Sequence, residues 1–319
     1  MKIVLGGNPG EAILAEWRKE FPGVEFVPAS TPEEQVAAMP GATVYMGYSL
    51  AREAYLAGAA TLKWVHATSA GVERIVNIPE LVESDVILTN TRGGHAACIA
   101  EHTFALLLSL TRRLFPAYED QKQHVWDRSG IARGSRELTG STMVILGMGN
   151  IGRAIAKRAV GFDMRVLGVD LRTDNVPAGV EAILPLERLD EAMQQADVFV
   201  VTLPITPQTY HLIDGRRLAL LGPDDYLIVV SRGGIVEEPA LISALKEGRL
   251  AGAGLDVQEH EPMPPDDPLW EAPNLILTPH SSAASRQTME RVWSITKENL
   301  RRFLAGQPLE NVCDKRAGF

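Results

Sequence analysis

Apolar positions along this chain alternate between two spacings. Short runs rich in Val, Ile and aromatic residues, "KIVLG" from Lys2, "VEFVP" from Val24, "TVYMG" from Thr43, "KWVHAT" from Lys63 and "VILTN" from Val86, are separated by stretches with helical periodicity. The first such stretch, "GEAILAEWRKEFP", places Ile13, Leu14, Trp17 and Phe21 on one helical face. From Thr142 the alternation resumes with "TMVILG", "RVLGVD", "DVFVVTLP", "YLIVVS", "GAGLDV" and "LILTP". These runs are nearly continuous, the pattern of parallel strands covered on both faces. Strands alternating with helices predict parallel sheets with crossover helices, so the two strand-rich halves predict two α/β layers.

Between the halves, "ACIAEHTFALLLSLTRRLF" predicts a helix buried on most sides, with Arg112 and Arg113 near its negative dipole end. The polar "PAYEDQKQHVWDRSGIARGSRELTGS" reads as an arm or linker, and "RQTMERVWSITKENLRRFLAGQP" as an amphipathic helix stopped at Gly306. At 319 residues the chain is too long for one core, and two domains are expected. A net charge of -9 without a basic block argues against nucleic acid as the main partner, yet leaves room for a local positive pocket. Cys98 and Cys313 lie in no metal-ligand spacing and are too few for a disulfide framework, so neither a metal site nor a cystine scaffold is expected. No apolar run is long enough to span a bilayer, and "MKIVLGGNPG" reaches Gly6 too soon for a secretory segment. A cytoplasmic location follows as the expectation.

The stretch "VILGMGNIGRAIAKRA" then narrows the function. Gly147, Gly149 and Gly152 follow an apolar strand and open a helix with Ile151, Ile155 and Ala156 facing inward. In a dinucleotide fold the first glycine permits the tight turn, the second lets a pyrophosphate approach the backbone, and the third lets helix and strand pack closely. The segment Gly147, Gly149, Asn150, Ile151 and Gly152 is thus the candidate pyrophosphate cradle, at a helix N-terminus with free amides. Asp170 ends the next strand, about twenty positions on, where an acidic residue binds ribose hydroxyls. With Leu171 and Arg172 it forms the candidate ribose end. Asp170 favours NAD, whereas Arg172 is able to cradle a 2'-phosphate, so NADP stays open.

Three further residues arrive at successive strand ends: Arg232 after "YLIVVS", Asp256 with the nearby Glu261 after "GAGLDV", and His280 after "LILTP". Singly, each has a bland reading: a capping charge, a solvated acidic loop, a turn. Jointly, downstream of a dinucleotide motif, they suit hydride transfer to a 2-oxo acid. Arg232 offers a planar fork for a carboxylate. His280 is a proton donor of the type that titrates near neutrality, with Glu261 to orient its ring.

At this point the chain resembles the D-isomer-specific 2-hydroxyacid dehydrogenase family, on "SAGVERI", "GMGNIG", "TLPITPQTYHLID", "VVSRGGIVEEPAL", "GLDVQEHEPMP" and "LTPHSSA". The resemblance implies His280 as proton donor, Glu261 as its partner, and Arg232 on the substrate's carboxylate and carbonyl. It implies Ala70, Gly71 and Val72 as substrate contacts through their amides. Leu203, Pro204, Val230 and Ser231 match cofactor-side segments, and Asp256 an aspartate near the nicotinamide amide. The implied fold is two doubly wound α/β domains, a Rossmann NAD(P)-binding domain (100–285) inserted into a flavodoxin-like substrate domain (1–99 and 286–319), with a cleft that closes over substrate.

The implied activity is NAD(P)-dependent reduction of a small 2-oxo acid such as glyoxylate, hydroxypyruvate or pyruvate. Alternatives are an NAD(H)-sensing binding protein of the same fold and a 3-phosphoglycerate dehydrogenase. The last would want extra cations, for which Arg74 and Arg92 are the candidates, Arg92 also reading as an ordinary surface charge beside His95. With no further domain after Phe319, the longer serine-regulated phosphoglycerate dehydrogenases match less well. Glu261 argues against formate dehydrogenase, where a glutamine is expected. Tyr48, in the substrate loop Met46 to Ser49, and Trp126 are read as packing or pocket-lining aromatics. Trp126 falls in an arm that in relatives wraps a partner subunit, so the resemblance implies a homodimer.

Overall fold

The computed structural model describes residues 1–318. The chain divides into two compact units: Met1–His95 together with the stretch that begins at Ser285, and Ala96–Ala284.

The first unit carries a parallel sheet of β1 (Lys2–Gly6), β2 (Glu25–Pro28), β3 (Val44–Gly47), β4 (Trp64–Ala67) and β5 (Ile87–Thr89) in the order β2-β1-β3-β4-β5. Every residue of β3 and β4 is buried, which explains why their sequences are apolar without alternation. The C-terminal helix Arg286–Leu304 closes one face of this sheet. Trp293 meets Trp17 edge-on at 5.9 Å, and Phe303 lies 5.2 Å from Trp64.

One histidine sits within this packing. His66, wholly buried on β4, contacts the Thr89 hydroxyl at 2.7 Å through Nδ1 and the Thr296 hydroxyl at 2.9 Å through Nε2. The Thr296 hydroxyl donates to the Val292 carbonyl and the Thr89 hydroxyl accepts from the Trp64 indole, so Nε2–H donates and Nδ1 accepts. Such a ring is neutral, and burial pushes its pKa down to about 3.

The second unit holds β6 (Thr142–Leu146), β7 (Arg165–Val169), β8 (Ala182–Leu184), β9 (Val198–Val201), β10 (Tyr226–Val229), β11 (Gly252–Leu255) and β12 (Leu275–Leu277). All pairings are parallel, in the order β12-β11-β10-β9-β6-β7-β8. Counted from its own first strand this is 3-2-1-4-5-6-7, the dinucleotide-fold order with one added strand and a switch point between β6 and β9. Two apolar clusters cover its two faces.

Two expectations need correction. The strand β8 was not foreseen: it is three residues long, at the sheet edge, with only Ile183 buried. The polar arm or linker is instead two helices, Leu114–Lys122 and Arg128–Gly134, neither of which buries a residue. Without an apolar stripe they leave no periodic trace in the sequence. No helix among the described residues is long and apolar enough to cross a membrane.

Candidate active site

Ligands of open α/β sheets sit beyond the carboxyl ends of the strands at the switch point. In the second unit that edge begins with the turn after β6. Gly147 adopts φ +101°, a conformation that other residues rarely take. A Cβ on Gly152 would lie 2.0 Å from the Gly147 carbonyl oxygen, so the helix Asn150–Gly161 packs against the turn only because a hydrogen stands there. A Cβ on Gly149 would meet nothing within 4 Å, which leaves open space in front of the helix's first amides. Thr202 fastens the turn by donating to the Gly147 carbonyl at 2.7 Å.

Asp170, just past β7, accepts from Met148 N–H at 2.6 Å and from Arg172 N–H at 2.9 Å. Its carboxylate is therefore fixed beside the glycine turn. Leu171 is 82% exposed and Arg172 is exposed, two side chains free to cover a ligand. Next along the edge, Ser231 is buried after β10 with a hydroxyl that finds no partner among the described residues, beside buried Val230. An open cradle at a helix N-terminus, a fixed carboxylate and an orphaned hydroxyl fit a dinucleotide along this edge. Leu203 is half-buried and Pro204 exposed on the segment after β9.

The candidate chemical residues come from three adjacent strands. Arg232 follows β10, Asp256 follows β11 and His280 follows β12, neighbours in the order β12-β11-β10. His280 Nδ1 lies 2.7 Å from Glu261 Oε2, with the two side chains 41% and 34% exposed. Glu261's other oxygen accepts from Gln258 N–H at 3.0 Å, which orients the carboxylate. A carboxylate accepts, so Nδ1 carries the hydrogen and Nε2 is the nitrogen left to exchange a proton. Arg232 Nη1 donates to the Ser231 carbonyl at 2.7 Å, which directs the guanidinium at its own strand end.

Asp256 has a structural task that its sequence position did not disclose. It is fully buried, and its carboxylate accepts from the Thr278 hydroxyl at 2.6 Å and from the Ser281 and Ser282 amides, each at 2.9 Å. The Thr278 hydroxyl in turn accepts from His102 Nε2 at 2.9 Å. His280 N–H donates to the Asp256 carbonyl at 2.8 Å while its backbone sits at φ +51°. Asp256 thus clamps both sides of the turn that carries His280.

In the first unit a loop follows β4. The carbonyls of Ser69, Ala70 and Gly71 are engaged by Thr91 N–H, the Asn90 amide and the Ser69 hydroxyl. The N–H groups of Ala70, Gly71 and Val72 donate to no protein acceptor among the described residues. Arg74 lies over the Tyr48 ring, 5.0 Å from its centroid, and Tyr48 is half-exposed at the end of β3. Arg92 is an exposed charge that donates to the Val312 carbonyl at 3.0 Å and the Asn311 side chain at 3.4 Å. Trp126 is 94% exposed, so it is not a core packing residue.

Sequence reasoning passed over Tyr210, His211, Gln258 and Glu259. Tyr210 donates to Glu259 at 2.6 Å, and His211 meets the other oxygen of that carboxylate at 3.2 Å. These contacts join residues almost fifty positions apart, a separation to which local spacing is blind.

Comparison with known proteins gives a consistent answer. Residues 104–282 match the model of "D-isomer specific 2-hydroxyacid dehydrogenase, NAD binding domain". A glyoxylate reductase from Thermofilum pendens is 36% identical over 256 residues, covering 78% of this chain and 74% of that protein. A D-isomer specific 2-hydroxyacid dehydrogenase family protein from Aeromonas salmonicida superposes with a TM-score of 0.84 at 34% identity, over 98% of this chain and 99% of that one. An NADPH-dependent glyoxylate/hydroxypyruvate reductase from Sinorhizobium meliloti, solved with NADP and sulfate, superposes with a TM-score of 0.84 at 29% identity, over 100% and 99%.

Proposed function

Because the chain belongs to the D-isomer specific 2-hydroxyacid dehydrogenase family, we propose that it reduces small 2-oxo acids of the glyoxylate, hydroxypyruvate or pyruvate type to D-2-hydroxy acids, with His280 as proton donor. It is an NAD(P)-dependent dehydrogenase. The observation that carries the finer reading is the His280–Glu261 pair at 2.7 Å, one strand end removed from Asp256 and two from Arg232.

In this reading the second unit is the cofactor domain and the first the substrate domain. Gly147, Gly149, Asn150, Ile151 and Gly152 would hold the pyrophosphate, Asp170, Leu171 and Arg172 the adenosine ribose, and Leu203, Pro204, Val230, Ser231 and Asp256 the nicotinamide half. Bound NAD(P)H supplies the hydride. Arg232 binds the carboxylate and polarises the carbonyl through its planar fork. The amides of Ala70, Gly71 and Val72 are read as further contacts of the carboxylate. His280 delivers a proton from Nε2 to the developing alkoxide oxygen. Glu261, holding Nδ1–H, keeps the ring in that tautomer and stabilises the charge of the protonated imidazole.

The second copy of a homodimer is assigned to the two helices beyond residue 113. There Leu114, Phe115, Tyr118, Val125 and Trp126 stand exposed, an apolar patch of the kind that marks an interface. Light scattering at the molar mass of a dimer supports this, and a monomer at micromolar concentration refutes it.

The reaction is tested by initial rates at the nicotinamide absorbance band, using glyoxylate, hydroxypyruvate and pyruvate with NADH and with NADPH, and by chiral resolution of the product. The expected result is cofactor oxidation yielding the D-enantiomer from pyruvate. An L product, or silence across the panel with cofactor binding intact, overturns the reading.

A further inference from the structure

The loop that carries Glu261 has little to hold it by burial. Between Gln258 and Leu269 no residue is buried, although this is the segment that must aim a carboxylate at His280. Met263 packs part-buried against the core, and the rest of the loop's attachment is polar. Glu259 N–H donates to Glu238 Oε1 at 2.7 Å, and the Glu259 carboxylate is gripped from both sides: the Tyr210 hydroxyl donates to Oε1 at 2.6 Å and His211 Nε2 meets Oε2 at 3.2 Å. The Tyr210 hydroxyl, with His211 beside it, holds the Glu259 carboxyl below the usual range. Burial raises that of Glu238.

The same segment reaches the loop of Arg232. His211 N–H donates to the Gly234 carbonyl at 2.7 Å, Ile213 N–H donates to the Ile235 carbonyl at 3.0 Å, and Ile213 bridges Val236 in parallel register. The Tyr210 ring stacks on His211 with centroids 4.0 Å apart. A Cβ on Gly234 would come within 3.3 Å of the Tyr210 ring. Gly233 lies backbone to backbone with the Glu261 loop, since a Cβ there would fall 1.9 Å from the Gln258 carbonyl oxygen. Three loops from three strand ends thus meet at one pair of aromatic side chains and one carboxylate.

We propose that Tyr210, His211 and Glu259 form a latch that sets the Glu261 loop, and through it the His280 ring, in register with the loop of Arg232. They are positioning residues: they act through Glu261 and Arg232. The inference rests on reading His280 and Glu261 as the proton-delivering pair. A reaction that needs the proton and the carboxylate anchor within a few tenths of an ångström loses rate when either loop drifts, whereas cofactor binding at the distant glycine turn does not.

The test uses the full chain and three variants, Tyr210→Phe, Glu259→Gln and the double variant, with kcat, KM for glyoxylate and for the preferred nicotinamide cofactor, and Tm measured together. Tyr210→Phe keeps the ring and its stacking and removes only the hydroxyl. Each single variant is expected to lower kcat about tenfold while KM for cofactor stays within about twofold. The double variant is expected to lose less than the product of the two single effects, because both act on the same contact: Glu259→Gln leaves it a neutral hydrogen bond and Tyr210→Phe removes it. Unchanged kcat in Glu259→Gln, or kcat and cofactor affinity falling together with Tm, overturns the latch and leaves a merely structural contact. A wild type that reduces no 2-oxo acid overturns the parent reading and the latch with it, so the two failures are distinguishable.

Discussion

Replacing Gly152 and Gly149 by alanine separates what the glycine turn does for the fold from what it does for a ligand. In Gly152→Ala the new Cβ would stand 2.0 Å from the Gly147 carbonyl oxygen and 3.2 Å from Ile145 Cγ2. A carbon and a carbonyl oxygen rest at roughly 3.3 Å, so the helix start must retreat by about 1 Å from a turn that Thr202 holds fixed. Overpacking against backbone costs about 3 kcal/mol at the upper end of its range, and the helical preference of alanine over glycine returns about 1 kcal/mol. The net loss of about 2 kcal/mol corresponds to a fall in Tm of about 4–8 °C for a unit of this size. Cofactor affinity falls with it, because the helix amides move. In Gly149→Ala the backbone is extended, φ -72° and ψ -163°, and the methyl meets nothing in the protein. Its Tm should stay within about 1 °C of wild type, while NADH affinity drops at least about tenfold because the methyl occupies the pyrophosphate's approach. Calorimetric melts and fluorescence titration with NADH read both quantities. A Gly152→Ala protein that melts like wild type, or a Gly149→Ala protein that binds NADH normally, would refute the reasoning.

His66 makes stability fall with acid. Its pKa drops from 6.5 to about 3 on folding, so the unfolded chain binds the extra proton; the stabilisation is complete above about pH 6.5 and is lost as pH falls toward 3. The slope approaches about 1.4 kcal/mol per pH unit, and urea titrations from pH 7 to 4 should show it in wild type but not in His66→Gln; parallel pH dependences would sink the assignment. Arg92→Ala frees Asn311 and Val312, and should lower Tm by about 2–4 °C with KM for glyoxylate unchanged. A tenfold rise in KM would instead make Arg92 a substrate contact.

What the sequence disclosed follows the range of the forces involved. Among the eleven foreseen strands, Thr142–Leu146 and Val198–Val201 were the plainest because strands covered on both faces carry nearly continuous apolar runs. The glycine turn was visible because φ +101° at Gly147 and the 2.0 Å approach at Gly152 each disfavour a side chain, a constraint written into two fixed positions. Ala182–Leu184 escaped because an edge strand with one buried residue carries no run. The helices Leu114–Lys122 and Arg128–Gly134 escaped because neither buries a face. At the site, Arg232, Glu261 and His280 stood out as candidates by type and by their place after successive strands. Asp256 was found too, but not its hold on the Ser281 and Ser282 amides. Arg92 is exposed, as its reading as a surface charge had it, but its bonds to Asn311 and Val312 were not legible because they come from more than two hundred residues away. The Tyr210–Glu259 contact was invisible for the same reason.

The central claim is that His280 delivers the proton in a nicotinamide-dependent reduction, and a single-turnover comparison reaches it most directly. Wild type and His280→Ala are each mixed with NADH, shown by fluorescence to be bound, and then with glyoxylate, and loss of nicotinamide absorbance is followed. Wild type should consume the cofactor, while His280→Ala should bind NADH with wild-type affinity and react slower by about 10²–10⁴-fold. A His280→Ala enzyme that turns over at near wild-type rate would contradict the account.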